Sequence, residues 1–201
     1  ACLPAPHTQG AAAVSLWLGS TDDPVRESTV GSILRAAAAQ SGSTLAVVAW
    51  GANPGERRAW TYAELLRDAE RTARALLAHF EPGEHIAVFA QNSAEWLLLE
   101  LGAGLAGLVL VTVNPAYRAK ELEYVLRQSR STGVFYTRQF RGNPLDRWIE
   151  ETRPGLPQLR HACVIDEWES FLASAGQGIE LPGVAADDPA QIQYTSGTTG
   201  N

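Results

Sequence analysis

The chain has 201 residues and a formal net charge of −6 at pH 7. This length can bury one sizeable hydrophobic core, and the acidic balance argues against a broad nucleic-acid surface, because phosphate contacts need clustered cations. Cys2 and Cys163 are too few for a disulfide framework, and residues 1–10 lack the basic start and apolar run of a signal peptide. These features predict a cytoplasmic protein.

The first part of the chain predicts a leader followed by a helix and a hairpin. Residues 1–27 are rich in alanine, proline, glycine and serine without a sustained period, which is typical of a partly irregular leader. Thr29 or Ser32 can begin a helix that runs through Gln40. The next predicted elements are a strand at 45–50, a turn at 53–56 and a short partner strand at 59–60.

A capping box opens the long helix that follows. The hydroxyl of Thr61 can accept a backbone N–H while the carboxylate of Glu64 reaches back to the start of the helix. An apolar stripe with helical spacing follows through Phe80, and we expect Pro82-Gly83 to end the helix. Asn92 is a candidate cap for the next helix.

One apolar stretch is similar in composition to a membrane span. Residues 97–113 are apolar except for Glu100 and Thr112. The stretch is shorter than the roughly 20 residues that a bilayer requires, and it contains a charge and several glycines. It therefore predicts a buried helix running into a buried strand, and no membrane span.

Strands and helices alternate through the rest of the chain. The predicted elements are strand 86–90, a helix after Asn92, strand 108–113, a helix with Leu122, Val125 and Leu126 inward, strand 133–136, a helix opened by Pro144, strand 162–165, helix 167–175 and a strand at 191–194. This alternation implies right-handed βαβ units, so we expect an α/β fold with layered α-β-α architecture and a mainly parallel sheet.

Polar residues directly follow three of the predicted strands. They are Asn92, Asn114 and Thr195. Ligands gather at the carboxyl ends of parallel strands, so these residues could lie along one functional edge. Asparagine also caps helices and forms turns for local reasons, and we favour those roles for both asparagines.

The chain closes on hydroxyl-bearing residues and glycines after the last strand. Glycine permits the backbone angles that let successive N–H groups face one concavity, and such a nest attracts anions. The stretch is thus a candidate cradle for nucleotide phosphates. A flexible linker has the same composition, and this closing stretch contains neither GxxxxGK[ST] nor GxGxxG.

Three motifs together resemble the adenylate-forming superfamily. Tyr194–Gly200, YTSGTTG, is similar to its phosphate-loop signature, and Trp60–Leu65, WTYAEL, is similar to an early motif that starts a helix. Between them, Gly104–Gly107 and Asn114–Arg118 resemble the second core motif, and the latter is most similar to fatty-acyl-CoA synthetases. The resemblance spans roughly residues 29–201.

The resemblance implies a domain organisation. Residues 28–201 would form an incomplete N-terminal AMP-binding domain, after a leader at 1–27, and would be the first part of that large domain. Asn201 fills the variable position that precedes Pro-Lys-Gly in relatives, and the chain contains no methionine. We therefore expect a fragment that is inactive alone, because the catalytic lysines and the magnesium-binding glutamate come later in relatives.

The resemblance also implies a reaction. The parent enzyme would activate a carboxylic acid, most simply a fatty acid, with ATP and Mg²⁺ and then transfer the acyl group to CoA. No residue here is assigned a catalytic or metal-binding role; the four histidines lack metal-ligand spacing, and Asp187-Asp188 is interpreted as a solvated turn rather than a metal pair. The residues assigned to phosphate binding are Thr195, Ser196, Gly197, Thr198, Thr199 and Gly200.

Three alternatives remain open from the sequence. One keeps the fold and changes the acid or acceptor, as in an adenylation domain of a peptide synthetase or an aryl-CoA ligase. Another is a noncatalytic truncated interaction module. A dinucleotide dehydrogenase is disfavoured because no GxGxxG motif follows a first strand.

Overall fold

A computed structural model describes residues 26–50, 55, 57–176 and 178–195. The predicted leader therefore lies almost entirely outside the described residues, as does the turn at 53–56 apart from Gly55. Two short 3-10 helices, Arg153–Gly155 and Ile165–Glu167, accompany the α-helices of this part of the chain. The α-helices are α1 Val30–Ser41, α2 Tyr62–Leu77, α3 Ala94–Ala106, α4 Ala119–Gln128, α5 Leu145–Thr152 and α6 Trp168–Ala173.

The strands of the described residues are β1 Leu45–Trp50, β2 Arg57–Thr61, β3 His85–Phe89, β4 Val109–Thr112, β5 Gly133–Tyr136, β6 Gln139–Phe140, β7 Asn143–Pro144, β8 His161–Val164 and β9 Gln191–Gln193. Five parallel strands form the central sheet, in the order β8-β5-β3-β4-β9. The other four strands form two antiparallel hairpins, β1–β2 and β6–β7. The predicted mainly parallel sheet is thereby confirmed.

Each face of the sheet carries its own hydrophobic cluster. On the first face, α1, α2, α3 and α6 pack against side chains such as Ile86 and Val88 of β3. On the second face, α4 and α5 pack against the intervening Ala87 and Phe89. Because side chains alternate along a strand, a strand covered on both faces needs a continuous apolar sequence. This arrangement confirms the predicted α-β-α layering.

The apolar run at 97–113 divides between α3 and β4, as predicted. In the described ranges, no helix combines the length and apolar character needed to cross a bilayer. The turn between the two elements is made by Gly107, whose φ of 68° lies in the left-handed region that favours glycine.

Side-chain caps fix where two helices begin. The Glu64 amide donates to the Thr61 hydroxyl over 3.3 Å, and the Thr61 amide donates to the Glu64 carboxylate over 2.9 Å, which confirms the predicted capping box. These hydrogen bonds from the Thr61 backbone and side chain lower the pKa of Glu64. Thr29 caps α1 by accepting from the Ser32 amide over 3.0 Å.

Two predicted helix boundaries were wrong. Ser93, rather than Asn92, caps α3: its backbone is extended and its hydroxyl accepts from the Trp96 amide over 3.1 Å. The helix α2 ends at Leu77, well before Pro82, because a tighter turn follows it. In that turn the His79 amide donates to the Leu76 carbonyl, and the chain folds back to bury Phe80.

Close packing of α2 on α3 generates a stability prediction. A methyl group at Gly102 on α3 would come within 2.7 Å of Thr72 Cγ2 and 3.2 Å of the Ala73 nitrogen on α2. We expect Gly102→Ala to lower the free energy of unfolding by about 1–3 kcal/mol, because the two helices must separate to admit it. Denaturant unfolding would measure this.

Gly183→Ala is the matched control, because a methyl group there meets no atom within 4 Å. It should leave the unfolding midpoint nearly unchanged. Equal effects of the two substitutions would contradict the packing argument.

Candidate functional site

The strand order places the carboxyl ends of β3, β4 and β9 side by side. β9 pairs with β4 in parallel register, with Gln193 opposite Thr112. Beyond β9, Tyr194 is half-buried and its hydroxyl donates to the Val125 carbonyl on α4 over 3.3 Å. This contact fixes the direction in which the chain leaves the sheet.

One of the six predicted phosphate-binding residues lies in the described part of the chain. Thr195 is exposed directly after Tyr194, at the carboxyl edge of the sheet. Ser196, Gly197, Thr198, Thr199 and Gly200 lie outside the described residues, so their assignment stays a prediction. The structure does bring Thr195 to the edge where ligands of parallel sheets bind.

A groove of about 300 Å³ adjoins this exit, which we call the exit groove. Its wall combines three tyrosine rings with one ammonium and one carboxylate, which suits a ligand with a flat or apolar part and an anionic part. The carboxylate of Glu121 accepts from the Arg118 amide over 3.0 Å and so secures the first turn of α4. The groove residues are Tyr117, Lys120, Glu121, Tyr124, Val125, Tyr194 and Thr195.

Sequence reasoning missed the exit groove, although a signal was present. Lys120 and Tyr124 are four residues apart, so they share one side of α4, and Tyr117 lies two residues before its first residue. No local feature of the sequence indicated that β9 would end beside that side of α4.

Asn114 and Asn92 differ in what they do at the carboxyl edge. The Asn114 side-chain oxygen accepts from the Ala116 amide over 3.0 Å, and its carbonyl accepts from the Tyr117 amide over 2.9 Å. This local turn confirms the structural role favoured for Asn114. Asn92 is exposed beyond β3, where Ser93 takes the capping role instead.

A larger cleft of about 640 Å³ opens on the first face of the sheet, and we call it the hairpin cleft. It lies between the β1–β2 hairpin, the start of α3 and the ends of β3, β5 and β8. Trp60 anchors the hairpin by donating to the Asp68 carboxylate over 2.8 Å. The cleft residues are Val47, Val48, Ala49, Trp50, Arg58, Gln91, Asn92, Ser93, Ala94, Glu95, Leu97, Thr137, Ile165, Asp166 and Trp168.

The polar groups of the hairpin cleft are nearly all partnered or exposed. Arg58 pairs with Glu95 at 2.5 Å, and Glu95 is only 14% exposed. The hydroxyl oxygen of Thr137 is the exception: it is buried and has no hydrogen-bond partner among the described residues. An unpaired buried hydroxyl lowers stability by roughly 1–3 kcal/mol.

Two of the four histidines meet on the first face, in a packing role. His79 hydrogen-bonds Ser174 over 2.9 Å, and the rings of His79 and His161 lie 5.1 Å apart. Burial, followed by the nearby His79 and Arg160, lowers the pKa of His161, and Glu84 opposes this shift. The cluster has the features of a packed core.

Cys163 is not an activated thiol, and the described residues contain no metal ligand set. Burial raises the pKa of the Cys163 thiol to about 11, which leaves it protonated at neutral pH. Within the described ranges no three histidine, cysteine or acidic side chains are close enough to hold a metal ion. Asp188 accepts from the Ala185 amide over 2.7 Å, and with Asp187 it forms the exposed turn that was predicted.

Comparisons with known proteins agree on one family. Residues 34–201 match the family described as AMP-binding enzyme. The chain is 32% identical over 211 residues to the medium-chain acyl-CoA ligase ACSF2, mitochondrial, of Rattus norvegicus, and 31% identical over 209 residues to its counterpart in Danio rerio. These matches cover 91% and 90% of this chain, but only 34% of each relative.

Solved structures give the same picture of the fold. The N-terminal domain of FACL13 from Mycobacterium tuberculosis is similar with a TM-score of 0.66 and 28% identity, over 84% of this chain and 42% of that chain. A long-chain-fatty-acid-CoA ligase, FadD1, from Archaeoglobus fulgidus has a TM-score of 0.76 at 20% identity, over 92% of this chain and 38% of that chain. At this identity the similarity shows the fold alone. The chain spans about a third of the length of its curated relatives.

The histidine pair predicts that stability depends on pH. Because the folded-state pKa of His161 lies below its ordinary 6.5, the unfolded chain binds more protons between these two values. The free energy of unfolding should therefore rise with pH through this window and fall as the pH drops below about 6.5. In His161→Gln the difference in stability between pH 5 and pH 7.5, measured by urea unfolding, should shrink. An unchanged difference would contradict this account.

The unpaired hydroxyl of Thr137 predicts a stabilising substitution. Thr137→Val keeps the shape of the side chain and removes the unpaired hydroxyl, so we expect the free energy of unfolding to rise by about 1 kcal/mol. Thr152→Val is the matched control, because the buried Thr152 hydroxyl donates to the Trp148 carbonyl over 2.9 Å and its loss should destabilise. If both substitutions destabilise, the Thr137 hydroxyl has a partner after all.

Proposed function

The chain belongs to the family of AMP-binding enzymes, and from this premise we propose that it is the N-terminal part of an ATP-dependent acyl-CoA synthetase. Such an enzyme is an AMP-forming acid-thiol ligase. The proposal is supported by the acyl-CoA ligase relatives, which match this chain over about nine-tenths of its length.

The main observation in support of the proposal is that Thr195 lies at the carboxyl edge of the sheet. β9 pairs with β4, Tyr194 is held by α4, and the hydroxyl-and-glycine segment departs from that point. An anion-binding loop at the end of a parallel strand is well placed to hold nucleotide phosphates. Thr195, Ser196, Gly197, Thr198, Thr199 and Gly200 are proposed to bind the β- and γ-phosphates of ATP through amides and hydroxyls.

The proposed reaction has two steps. A carboxylate oxygen of the acid forms a bond to the α-phosphorus of ATP, and the bond from that phosphorus to the bridging oxygen breaks and releases pyrophosphate. The thiol of CoA then loses its proton and attacks the acyl carbon, and AMP leaves with the bonding electrons. Catalysis of this kind depends on positioning and on neutralising charge.

The residues near Thr195 fit such a role in part. The exposed ammonium of Lys120 lies in the same groove as Thr195 and is compatible with an anionic ligand. Mg²⁺ would share the charge of the phosphates when bound, and no described residue is assigned to it. Proton transfer is not proposed for any residue of this chain.

A fatty acid is the proposed substrate, and fatty-acid metabolism the proposed context. The relatives named medium-chain acyl-CoA ligases support an aliphatic acid. The aryl-CoA ligase, peptide-synthetase and noncatalytic alternatives receive no comparable support. A cytoplasmic location is proposed from the sequence, although the named vertebrate relatives are mitochondrial.

The test uses the longest polypeptide that the gene encodes. Release of AMP should require a fatty acid, ATP and CoA together. Replacing Thr195–Gly200 by an unrelated flexible segment should lower kcat/KM at least about 100-fold, the cost of losing one preorganised donor or more. Ser170→Ala, an exposed hydroxyl on α6, is the matched control and should leave the rate unchanged.

Full turnover after replacement of the segment would reject the proposed phosphate-binding role. We also propose that residues 1–201 alone do not adenylate, so acid-dependent exchange of pyrophosphate into ATP should be undetectable with this chain.

A further inference from the structure

We propose that residues Val14–Leu18, which we call the leader segment, pair with β1 as a third, antiparallel strand of the hairpin sheet. The proposal concerns where the leader meets the body of the chain, and it does not depend on the proposed function. It is based on the exposed apolar side chains of β1, on the open edge of that strand and on the reach of the leader.

The exposed apolar side chains are concentrated on β1. Five large apolar side chains are exposed in the described residues, and three of them, Leu45, Val48 and Trp50, lie on this strand. We call these three the β1 patch. Leu45 is 53% exposed and Trp50 is 74% exposed. A contiguous apolar patch on a soluble protein marks a contact surface.

A β-bulge brings the three patch side chains to the same side of β1. The pairing with β2 slips between Leu45 and Val47, and such a slip offsets the alternation of side chains by one residue. Leu45 therefore shares its side with Val48 and Trp50. The burial of the strand agrees, because the residues between these three are less exposed.

The edge of β1 that faces away from β2 has no partner strand in the described part of the chain. β1 contains no charged residue, whereas β2 begins with Arg57 and Arg58. Charged side chains discourage a further strand from pairing, so of the two strands β2 alone has this protection. A two-stranded hairpin is only marginally stable, and a third strand at the β1 edge would complete the sheet.

The leader segment has the composition of a strand that fits this edge. Its sequence, VSLWL, has no charge, proline or glycine, and alternation places Val14, Leu16 and Leu18 on one face. We place Leu16 opposite Val48 in antiparallel register. Val14 then lies opposite Trp50, because antiparallel partners advance in opposite directions. The apolar side chains would pack as cross-strand pairs.

The connection is long enough for the antiparallel arrangement. Thr29, before α1, lies beside the start of β4, whereas Trp50 lies beside residues that follow β3 and β5 at the carboxyl edge. The 12 residues of α1 cover about 18 Å of this distance. Residues 19–26 can span at most about 29 Å, so Leu18 can reach Leu45. A parallel strand would need Leu18 at the other end of β1, about 17 Å further, which is out of reach.

Tethering favours the chain's own leader over a second copy of the chain. A segment joined to the body by a short connection has an effective concentration in the millimolar range. A second molecule in dilute solution is far below that concentration. The net charge of −6 on each chain also opposes the association of two copies.

Cysteine pairs test the contact directly. The background is the 201-residue chain with Cys2→Ser and Cys163→Ser. We expect oxidation to join Leu16→Cys to Val48→Cys by an intramolecular disulfide, because opposed residues of paired strands have Cβ atoms about 4.5–5.5 Å apart. Non-reducing electrophoresis and mass spectrometry of the linked peptides would detect the product.

Leu16→Cys combined with Ile33→Cys is the matched control. Ile33 is an exposed apolar residue on α1 and is closer to residue 16 along the chain. A tether without a docking site favours the shorter loop, so this pair would then cross-link at least as fast as the pair with Val48. We expect the Val48 pair to form at least tenfold faster. Equal rates, or a disulfide formed mainly between two chains, would overturn the proposal.

Hydrogen exchange at β1 provides a second test that needs no added cysteine. Leu16→Asp places a carboxylate against the apolar β1 patch, which disfavours the docked state. The amides of Leu45–Trp50 that do not pair with β2 should then exchange at least tenfold faster, as measured by mass spectrometry. Ala12→Asp adds the same charge outside the leader segment and should leave their exchange unchanged. Equal exchange in both variants and in the unmodified chain would mean that the leader segment does not cover β1.

Discussion

Burial of the parallel sheet on both faces is the constraint from which the rest of the structure follows. The central strands β3 and β5 expose almost no side chain, so helices must cover each face. Parallel strands also require crossover connections, which bring every carboxyl end to one edge. Gly102 and Thr72 let α2 and α3 lie close together while both cover the first face.

The two concave regions share that edge but differ in chemistry. The exit groove, on the second face, combines aromatic rings with the ammonium of Lys120. The hairpin cleft, on the first face, has an apolar floor and a net negative lining. The two regions therefore present different chemistry on the two faces of one sheet edge.

The sequence predicted those parts of the fold that depend on local signals. Thr61 and Glu64 form their cap within one turn of helix, and the apolar strands are recognisable from composition alone. The choice between Asn92 and Ser93 as the cap of α3 was missed because both residue types cap well, and the extended backbone at Ser93 decides between them.

The hairpin cleft could not be predicted, because it joins residues from Val47 to Trp168 that only the tertiary fold brings together. The six phosphate-binding residues were assigned through family resemblance. Of these six, only Thr195 lies in the described part of the chain.

Lys120 gives the exit groove a property with practical consequences. It is the only lysine in the sequence, and its ammonium is exposed in the first turn of α4. Amine-directed reagents therefore have one side-chain target in the whole chain besides the α-amino group. A fluorophore coupled there would sit in the same groove as Thr195, where its emission would report on the segment leaving β9 without any engineered attachment point.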